Sequence, residues 1–383
     1  MNDPEHDAPW SVTTKALRGH IRSLRADDKA AVLVTVADVA GSAYRRPGAK
    51  MLVGADGEPV GAVTAGCLEQ PVTALSMEVL DAGQPRVEVF DLLGDDGEEW
   101  GLGLGCNGII DLLLEPLDAS WDRALDLLDS GEAVTVVTVV DSDGTVPTGS
   151  RTLVAGGGTT ESVPGRERVP ESVVEAVGGT VERVHGEGKA TTVEVTTESG
   201  EVTVLVDGLE PVTRLLLFGS QSDIHPVCRL ASTAGLEVTV HSPRGGRGAE
   251  AFPHADRVET GHPSTVGDSV RAPADTYAVV MSHNLIDDQL AVEALLTETA
   301  VPYVGLMGPH DRFEQLREES DVIDESNVDR VATPVGLDLG GGEPVEIAFS
   351  IVSEVLAISN GRDGGRLEAR RGPVHDRIGG KRE

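Results

Sequence analysis

Between Arg214 and Gly308 short apolar runs alternate with segments of helical spacing, and this alternation limits the fold more than any other feature of the chain. The runs are Arg214–Ser220, Leu236–Arg244, Thr276–Asn284 and Val301–Gly308. A helix over His225–Gly235, closed by its glycine, and another over Asp287–Thr299 lie between them, and a third, Asp311–Glu319, follows. Strands that are apolar on both faces must be covered from both sides. Residues 211–359 therefore predict an open, parallel, Rossmann-like α/β sheet that begins at Pro211. The apolar helix Glu343–Ser359 packs back on a neighbouring layer. Beyond Asn360 the chain is rich in Gly, Arg and Asp without periodicity, so 360–383 reads as a disordered tail.

Such sheets bind ligands where the strand order reverses, beyond the carboxyl ends of the strands. A dinucleotide site wants three glycines after the first strand and an acid after the second. Here those positions are Gly219, Gln221, Ile224 and Ser242, which argues against NAD(P). A phosphate could still meet the helix after Gly219, although Asp223 opposes it electrostatically. His283 ends the third strand at the ligand-binding edge. It serves either a ligand there or a structural bond to Asp287 or Asp288.

The chain before Pro211 follows a mixed α+β pattern. Residues 1–29 form an acidic leader with an amphipathic helix at Thr14–Ala26. Apolar runs at Ala31–Val36 and Lys50–Val53 flank a turn that carries Arg45 and Arg46 and is locked by Pro47-Gly48. The hairpin signal Asp56-Gly57 leads to a third strand ending in Ala65-Gly66-Cys67-Leu68-Glu69. An arginine pair and a glycine-flanked cysteine are thus brought to the ends of one small sheet. Guanidinium forks grip planar oxyanions such as phosphate. A thiol beside them is pushed toward thiolate, the form that binds metals or moves sulfur. The plainer alternatives are a solvated turn and a buried thiol.

A helix at Glu69–Ala82 closed by Gly83, a strand at Val87–Leu92, an acidic loop and the glycine run Gly101–Gly108 come next. Gly103, Gly105 and Gly108 match G-x-G-x-x-G, but a loop precedes them and a short run ending at Pro116 follows. The pattern therefore lacks the helix N-terminus that would meet a phosphate. The run reads instead as a thin loop that lets backbone approach a ligand or another strand, with Cys106 at its tip. Cys228 reads as a small buried hydrophobe on a helix face.

After a helix from Trp121 to about Ser130 the pattern repeats. Residues 31–53 align with 134–154, setting Gly41 against Gly144, Gly48 against Gly149, Lys50 against Arg151 and Leu52 against Leu153. Residues 109–116 likewise resemble 202–211. This gives an N-terminal domain at 30–118 and a degenerate, repeat-like half at 119–210 that lacks both arginines and both cysteines. The asymmetry assigns the chemistry to the first half.

Composition narrows the partners. The net charge is −33, and Lys15, Lys29, Lys50, Lys189 and Lys381 are the only lysines. A surface this acidic repels nucleic acid and anionic membranes, and it resembles proteins of salt-saturated, halophilic cytoplasm. No apolar run reaches the ~18–20 residues of a membrane span, and the acidic stretch from Met1 to Asp7 is no signal peptide. Three cysteines do not make a secreted disulfide framework. A cytoplasmic protein is expected.

With these pieces placed, the chain resembles the XdhC/CoxI family of accessory proteins for molybdenum hydroxylases. The family's G-S-x-x-R-R-P-G-A-x-M-L-V stands at Gly41–Val53, its G-C-L-E at Gly66–Glu69, and its G-C-G-G at Gly105–Gly108 with Asn107 as a departure. Its T-H-x-x-x-D matches Ser282–Asp287 and its G-L-x-G matches Gly305–Gly308. Its last two motifs match Pro334–Gly340 and Glu346–Glu354. Thr64-Ala65 replaces two glycines usual before Gly66-Cys67.

The resemblance implies binding of the molybdenum cofactor, a pyranopterin phosphate with a dithiolene-held metal, and its protection. It also implies help with sulfuration by a cysteine desulfurase, and delivery to a molybdenum hydroxylase apoenzyme. The cofactor-binding candidates so implied are Arg45, Arg46, Gly66, Cys67, Glu69, Gly105, Cys106, Gly219 and His283. Cys67 and Cys106 are the sulfur- or metal-handling candidates, and Cys67 is the molybdenum contact. A cofactor chaperone is favoured over a turnover enzyme, and self-association as a homo-oligomer is compatible with that role. The competing readings are an NAD(P)-dependent oxidoreductase using His283 as acid–base, and a structural adaptor between desulfurase and hydroxylase.

Overall fold

The computed structural model describes residues 11–41, 44–92, 108–144, 146–198, 200–243 and 247–370. Up to Pro211 these form one compact unit, and from Val212 a second. In the first, α1 (Thr14–Ala26) precedes an antiparallel sheet of β1 (Ala31–Gly41), β2 (Lys50–Gly54) and β3 (Pro59–Gly61), then α2 (Glu69–Ala82), β4 (Arg86–Asp91) and β5 (Gly108–Pro116). Then α3 (Asp122–Ser130) leads to β6 (Val134–Ser142), β7 (Arg151–Ala155) and β8 (Thr159–Ser162). α4 (Glu171–Ala176), α5 (Gly178–Val184), β9 (Ala190–Thr197) and β10 (Gly200–Leu209) complete a second antiparallel sheet. The strand orders are β3-β2-β1-β5-β4 and β8-β7-β6-β10-β9, the same order strand for strand.

The likeness extends to single hydrogen bonds. β1 bulges between Val36 and Asp38 against β5, and β6 bulges at the matching place, between Val139 and Asp141, against β10. Val36 N–H donates to the Ala49 carbonyl at 2.8 Å and Gly48 N–H to the Val36 carbonyl at 2.8 Å. Val139, Ser150 and Gly149 make the same two bonds at 2.9 and 2.8 Å. Gly48 and Gly149 both take positive φ, 88° and 86°, at the third position of a tight turn closed by the residue that follows.

One alignment needs correction. Glu115 lies opposite Leu33 and Asp207 opposite Val136, so the acid equivalent to Glu115 is Asp207 and not Glu210. The matching Glu-Pro pairs at 115–116 and 210–211 mislead, because ladder register is set by strand pairing and not by a shared dipeptide.

Strand alternation gives each sheet two apolar faces. Leu33 and Val136 share one core with Leu17 and Ile21 of α1 and Leu125 and Leu128 of α3. On the opposite faces Val32, Val34 and Val36 pack against Val72 and Val79 of α2, and Val137 and Val139 against Val173, Val181 and Val184 of α4 and α5.

The second unit contains β11 (Arg214–Phe218), α6 (Ile224–Thr233), β12 (Glu237–Pro243), β13 (Arg257–Gly261), β14 (Thr276–Val280), α7 (Leu285–Glu298), β15 (Tyr303–Leu306), α8 (His310–Glu319), β16 (Val331–Ala332) and α9 (Pro344–Ser359). All strands are parallel, in the order β13-β12-β11-β14-β15-β16. This is the Rossmann arrangement, with its crevice between β11 and β14. Leu215 and Leu217 face α6 and α9, while Leu216 and Phe218 face α7 and α8. The two edge strands, β13 and β16, escape sequence reading because one is only half-buried and the other is two residues long. Residues 361–370 are exposed, with one short turn at Leu367–Ala369, and the rest of the expected tail lies outside the described residues.

Candidate functional site

One end of the first sheet gathers the loops of interest. Gly41, at the end of β1, pairs with Gly108, the start of β5, and Ile109 pairs with Asp91, the end of β4. Lys50 at the start of β2 pairs with Thr35 of β1, and Gly61 at the end of β3 pairs with Met51. Residues 42–49, residues 62–68 and the connection from β4 to β5 therefore all leave the sheet at this end. Gly105 and Cys106 belong to that connection and lie outside the described residues. Gly108 opens a strand and not a helix, so the glycine run lacks a dinucleotide-binding context.

Arg45 is exposed and Arg46 half-buried in the turn between β1 and β2. Neither makes an ion pair with any described residue, although the chain holds 64 acidic residues against 31 basic ones. Ala49 N–H closes the turn onto the Arg46 carbonyl at 3.1 Å. Tyr44, 66% exposed, stands beside the pair. At the matching turn of the second sheet the chain reads Val146-Pro147, and Val146 is buried in the core.

The third strand is shorter than expected. It stops at Gly61, whose φ of 84° turns the chain, and residues 62–68 form a closed loop. Glu69 fastens that loop: its carboxylate accepts from the Thr64 hydroxyl at 2.7 and 2.8 Å and from the Leu68 amide at 3.1 Å. The Thr64 hydroxyl accepts in turn from the amides of Gly66 and Leu68 at 3.3 Å. Glu69 is 9% exposed and its bonds are spent on the loop, so it positions Cys67 and Gly66, which has φ 110°. Thr64, the departure from the family's glycine, is the signal that could have revealed this clasp. Cys67 is half-buried at the rim of the core that also receives Ala49 from the arginine turn.

Beneath the turn lies a charged group that sequence reading missed. Lys50 Nζ donates to the Gly48 carbonyl at 3.0 Å and forms a close ion pair with Asp207 of β10. Arg151, the counterpart of Lys50, pairs with Glu115 at 2.6 Å, and both are fully buried. Trp121 is near both cations, its ring centre 5.7 Å from Lys50 Nζ and 4.5 Å from the Arg151 guanidinium carbon. The aligned positions of Lys50 and Arg151 were the available signal; the paired acids were not.

In the second unit, Gly219 follows β11 with φ 152°, and its amide is spent on the His241 carbonyl at 3.0 Å. A Cβ there would stand 2.7 Å from the Met281 carbonyl oxygen, so the glycine serves the close passage of two strand ends. His283, with φ 61°, pairs through Nε2 with Asp223 at 2.7 Å. Its partner is thus neither Asp287 nor Asp288: the Asp288 carboxylate holds the Ser282 hydroxyl, at 2.5 Å, and Arg312. Ser242 is buried at the end of β12. Cys228 is buried in α6, and desolvation pushes its thiol up to about 12.

Among the described residues no group of three or more His, Cys, Asp or Glu is arranged to hold a metal ion, and no helix is long and apolar enough to cross a membrane.

Known proteins bear on this arrangement. The family model described as XdhC and CoxI family matches residues 24–91, and the XdhC Rossmann domain matches residues 215–355. A Bacillus subtilis protein, named as a probable subunit of xanthine dehydrogenase, is 30% identical over 339 residues, covering 87% of this chain and 94% of that protein. The chain belongs to the XdhC and CoxI family. The crystal structure of a xanthine dehydrogenase from Bacillus halodurans superposes with a TM-score of 0.70 at 28% identity, covering 92% of this chain and 97% of that one. The Escherichia coli molybdenum cofactor insertion chaperone PaoD is 36% identical over 90 residues, covering 23% of this chain and 27% of its own length.

Several XdhC and CoxI motif residues serve the fold. Glu354 accepts from the Gly336 amide at 2.7 Å and from the Tyr303 hydroxyl, and Leu337 N–H donates to the Ser350 carbonyl at 3.2 Å. Glu346 completes a capping box with Glu343 at the start of α9. The last two motifs are thus bonded to one another.

Proposed function

We propose that this protein is an accessory protein of molybdenum cofactor maturation. It binds the cofactor as cargo, protects it, assists its sulfuration by a cysteine desulfurase and delivers it to a molybdenum hydroxylase apoenzyme in the cytoplasm. The observation that carries this reading is the difference between two otherwise matched sheet ends. One presents two arginines unpaired among the described residues and a half-buried thiol, while the other presents Val146 and Pro147. Such donors suit this cargo: guanidinium forks match the pterin phosphate, and a thiolate matches a soft metal already held by sulfur. Arg45 and Arg46 hold the phosphate, Cys67 approaches the metal, and the Thr64–Glu69 clasp keeps the cysteine loop in place. Cys106, which lies outside the described residues, is the second thiol assigned to handling sulfur. The Bacillus subtilis and Escherichia coli relatives support this reading through their names.

The test is loading in a salt-matched buffer, read as fluorescence of the oxidised pterin released on denaturation. Binding by the natural chain and its loss on joint Arg45→Ala and Arg46→Ala substitution is the expected result. Failure to load where an established carrier loads removes the reading.

A second reading, an NAD(P)-dependent oxidoreductase, draws support from the Rossmann strand order and from the His283–Asp223 pair at its crevice. The occupied Gly219 amide and the absence of an acid at Ser242 weigh against it.

A further inference from the structure

We propose that Lys50 and Asp207 are positioning residues for the arginine turn. Through this pair the second sheet, which has lost the site's own groups, sets how Arg45 and Arg46 are presented to the cargo's phosphate. The inference rests on the reading just given and adds to it the part played by the other half of the fold.

The turn is fixed on three sides. From below, Lys50 is 11% exposed and Asp207 6%, and Lys50 Nζ is shared between the Asp207 carboxylate and the Gly48 carbonyl. Along the chain, Gly48 N–H is bonded to Val36 and Ala49 N–H to Arg46. From the side, a Cβ on Gly48 would lie 2.9 Å from Ala190 Cβ and 3.1 Å from Asp207 Oδ1, so the backbone of the turn rests directly on β9 and β10. Arg45 and Arg46 project from a support of which half belongs to the second sheet. Two long, flexible side chains bind an oxyanion well only when their backbone is held, because freedom left in the turn must be lost on binding.

The fold supplies its own comparison. Arg151 and Glu115 form the equivalent pair, and a Cβ on Gly149 would lie 2.6 Å from Pro85, the residue before β4, much as Gly48 meets Ala190 at the start of β9. That second anchor holds up a turn with no arginine. Glu115 also faces Arg166 at 3.4 Å, so breaking this anchor tests the damage done by loss of a buried acid that serves two cations away from the arginine turn.

The experiment uses the full chain at high salt and a metal-free, oxidised, fluorescent pterin that retains its phosphate. Its dissociation constant is measured alongside the melting temperature. Lys50→Met is expected to weaken binding by about tenfold. Lys50→Arg, which keeps a cation within reach of Asp207 and the Gly48 carbonyl, is expected to restore affinity to about that of the natural chain. Glu115→Gln is expected to lower the melting temperature at least as much as Lys50→Met while leaving the affinity of the folded protein unchanged. Should Lys50→Met not fold, Asp207→Asn takes its place with the same expectation.

Wild-type affinity in folded Lys50→Met, or in its replacement, where the Arg45→Ala, Arg46→Ala protein has lost binding, overturns the positioning role and leaves the phosphate reading intact. Equal loss of affinity in Glu115→Gln also overturns it. If the natural chain does not bind the pterin, or binds it as well without both arginines, the functional reading falls and takes this inference with it.

Discussion

Arg151 stands in the second sheet where Lys50 stands in the first, and each reaches across to the acid of the opposite sheet, Arg151 to Glu115 and Lys50 to Asp207. The two acids are themselves equivalent, one opposite Leu33 and the other opposite Val136. The sheets are therefore held by a reciprocal exchange, with the Trp121 ring close to both cations.

Glu115→Gln leaves the buried Arg151 guanidinium without its counter-charge, although Ser120 and Thr138 still accept from it at 2.7 and 3.1 Å. A loss of about 3–5 kcal/mol of stability is expected, because one partner of a buried pair has been removed. Replacing both residues, Glu115→Leu with Arg151→Met, is expected to recover most of the loss. Denaturant unfolding at constant salt measures both.

Gly48→Ala meets a φ of 88° and near contacts with Ala190 Cβ and Asp207 Oδ1. Alanine in the left-handed region costs about 1–2 kcal/mol. Adding Ala190→Gly removes the contact with Ala190 but neither the strain nor the approach to Asp207, so the double variant is expected to recover only part of the stability. Equal melting temperatures for Gly48→Ala and the natural chain would show the turn to be free to rearrange.

Cys67→Ser is expected to melt as the natural chain does, because the side chain is half-buried and no hydrogen bond among the described residues depends on its sulfur. Activation of the partner hydroxylase in cells is expected to collapse, since a hydroxyl supplies neither a soft ligand nor a sulfur carrier. Early melting with activity retained would make Cys67 a packing residue.

Cys228 gives a pH signature. Its thiol is pushed from 9.0 to about 12 by burial in α6. Below the lower value both states keep the proton and nothing changes. Between the two values the unfolded chain loses the proton while the folded chain keeps it, so this residue lowers stability as pH rises, by about 1.4 kcal/mol per unit. Cys228→Ala is expected to flatten the decline of unfolding free energy between those two values. An unchanged slope would show that the thiol ionises in place.

Titration calorimetry with NAD(H) at high salt is expected to show weak or no binding, given Gln221, Ile224, Ser242 and the occupied Gly219 amide. A low-micromolar dissociation constant would revive the oxidoreductase reading, and Asp223→Asn would then locate the site through its bond to His283.

Much of the architecture was legible because apolar periodicity reports directly on which faces are buried. Leu215 and Leu217 alternate with Leu216 and Phe218 as a doubly covered strand requires, and Gly83 marks the end of α2 with φ 68°. Residues 59–64 are apolar enough for a longer third strand than the one that forms, β3 at Pro59–Gly61. What ends it is the conformation of Gly61 and the bond from Thr64 to Glu69, a side-chain clasp with no periodic signature. The arginines and Cys67 stood out as types in a motif. Lys50–Asp207 and His283–Asp223 could not, because each joins residues far apart in the chain through a ladder register or a strand crossing that spacing does not encode.

Exchanged contacts of the kind made by Lys50 and Arg151 are what a two-fold pair of protomers makes, each giving its twin what it receives. Here both copies lie on one polypeptide. A dimer held by such contacts comes apart on dilution, but this pair remains one to one at any concentration. One copy can therefore shed its loop chemistry while still serving as a permanent support for the other.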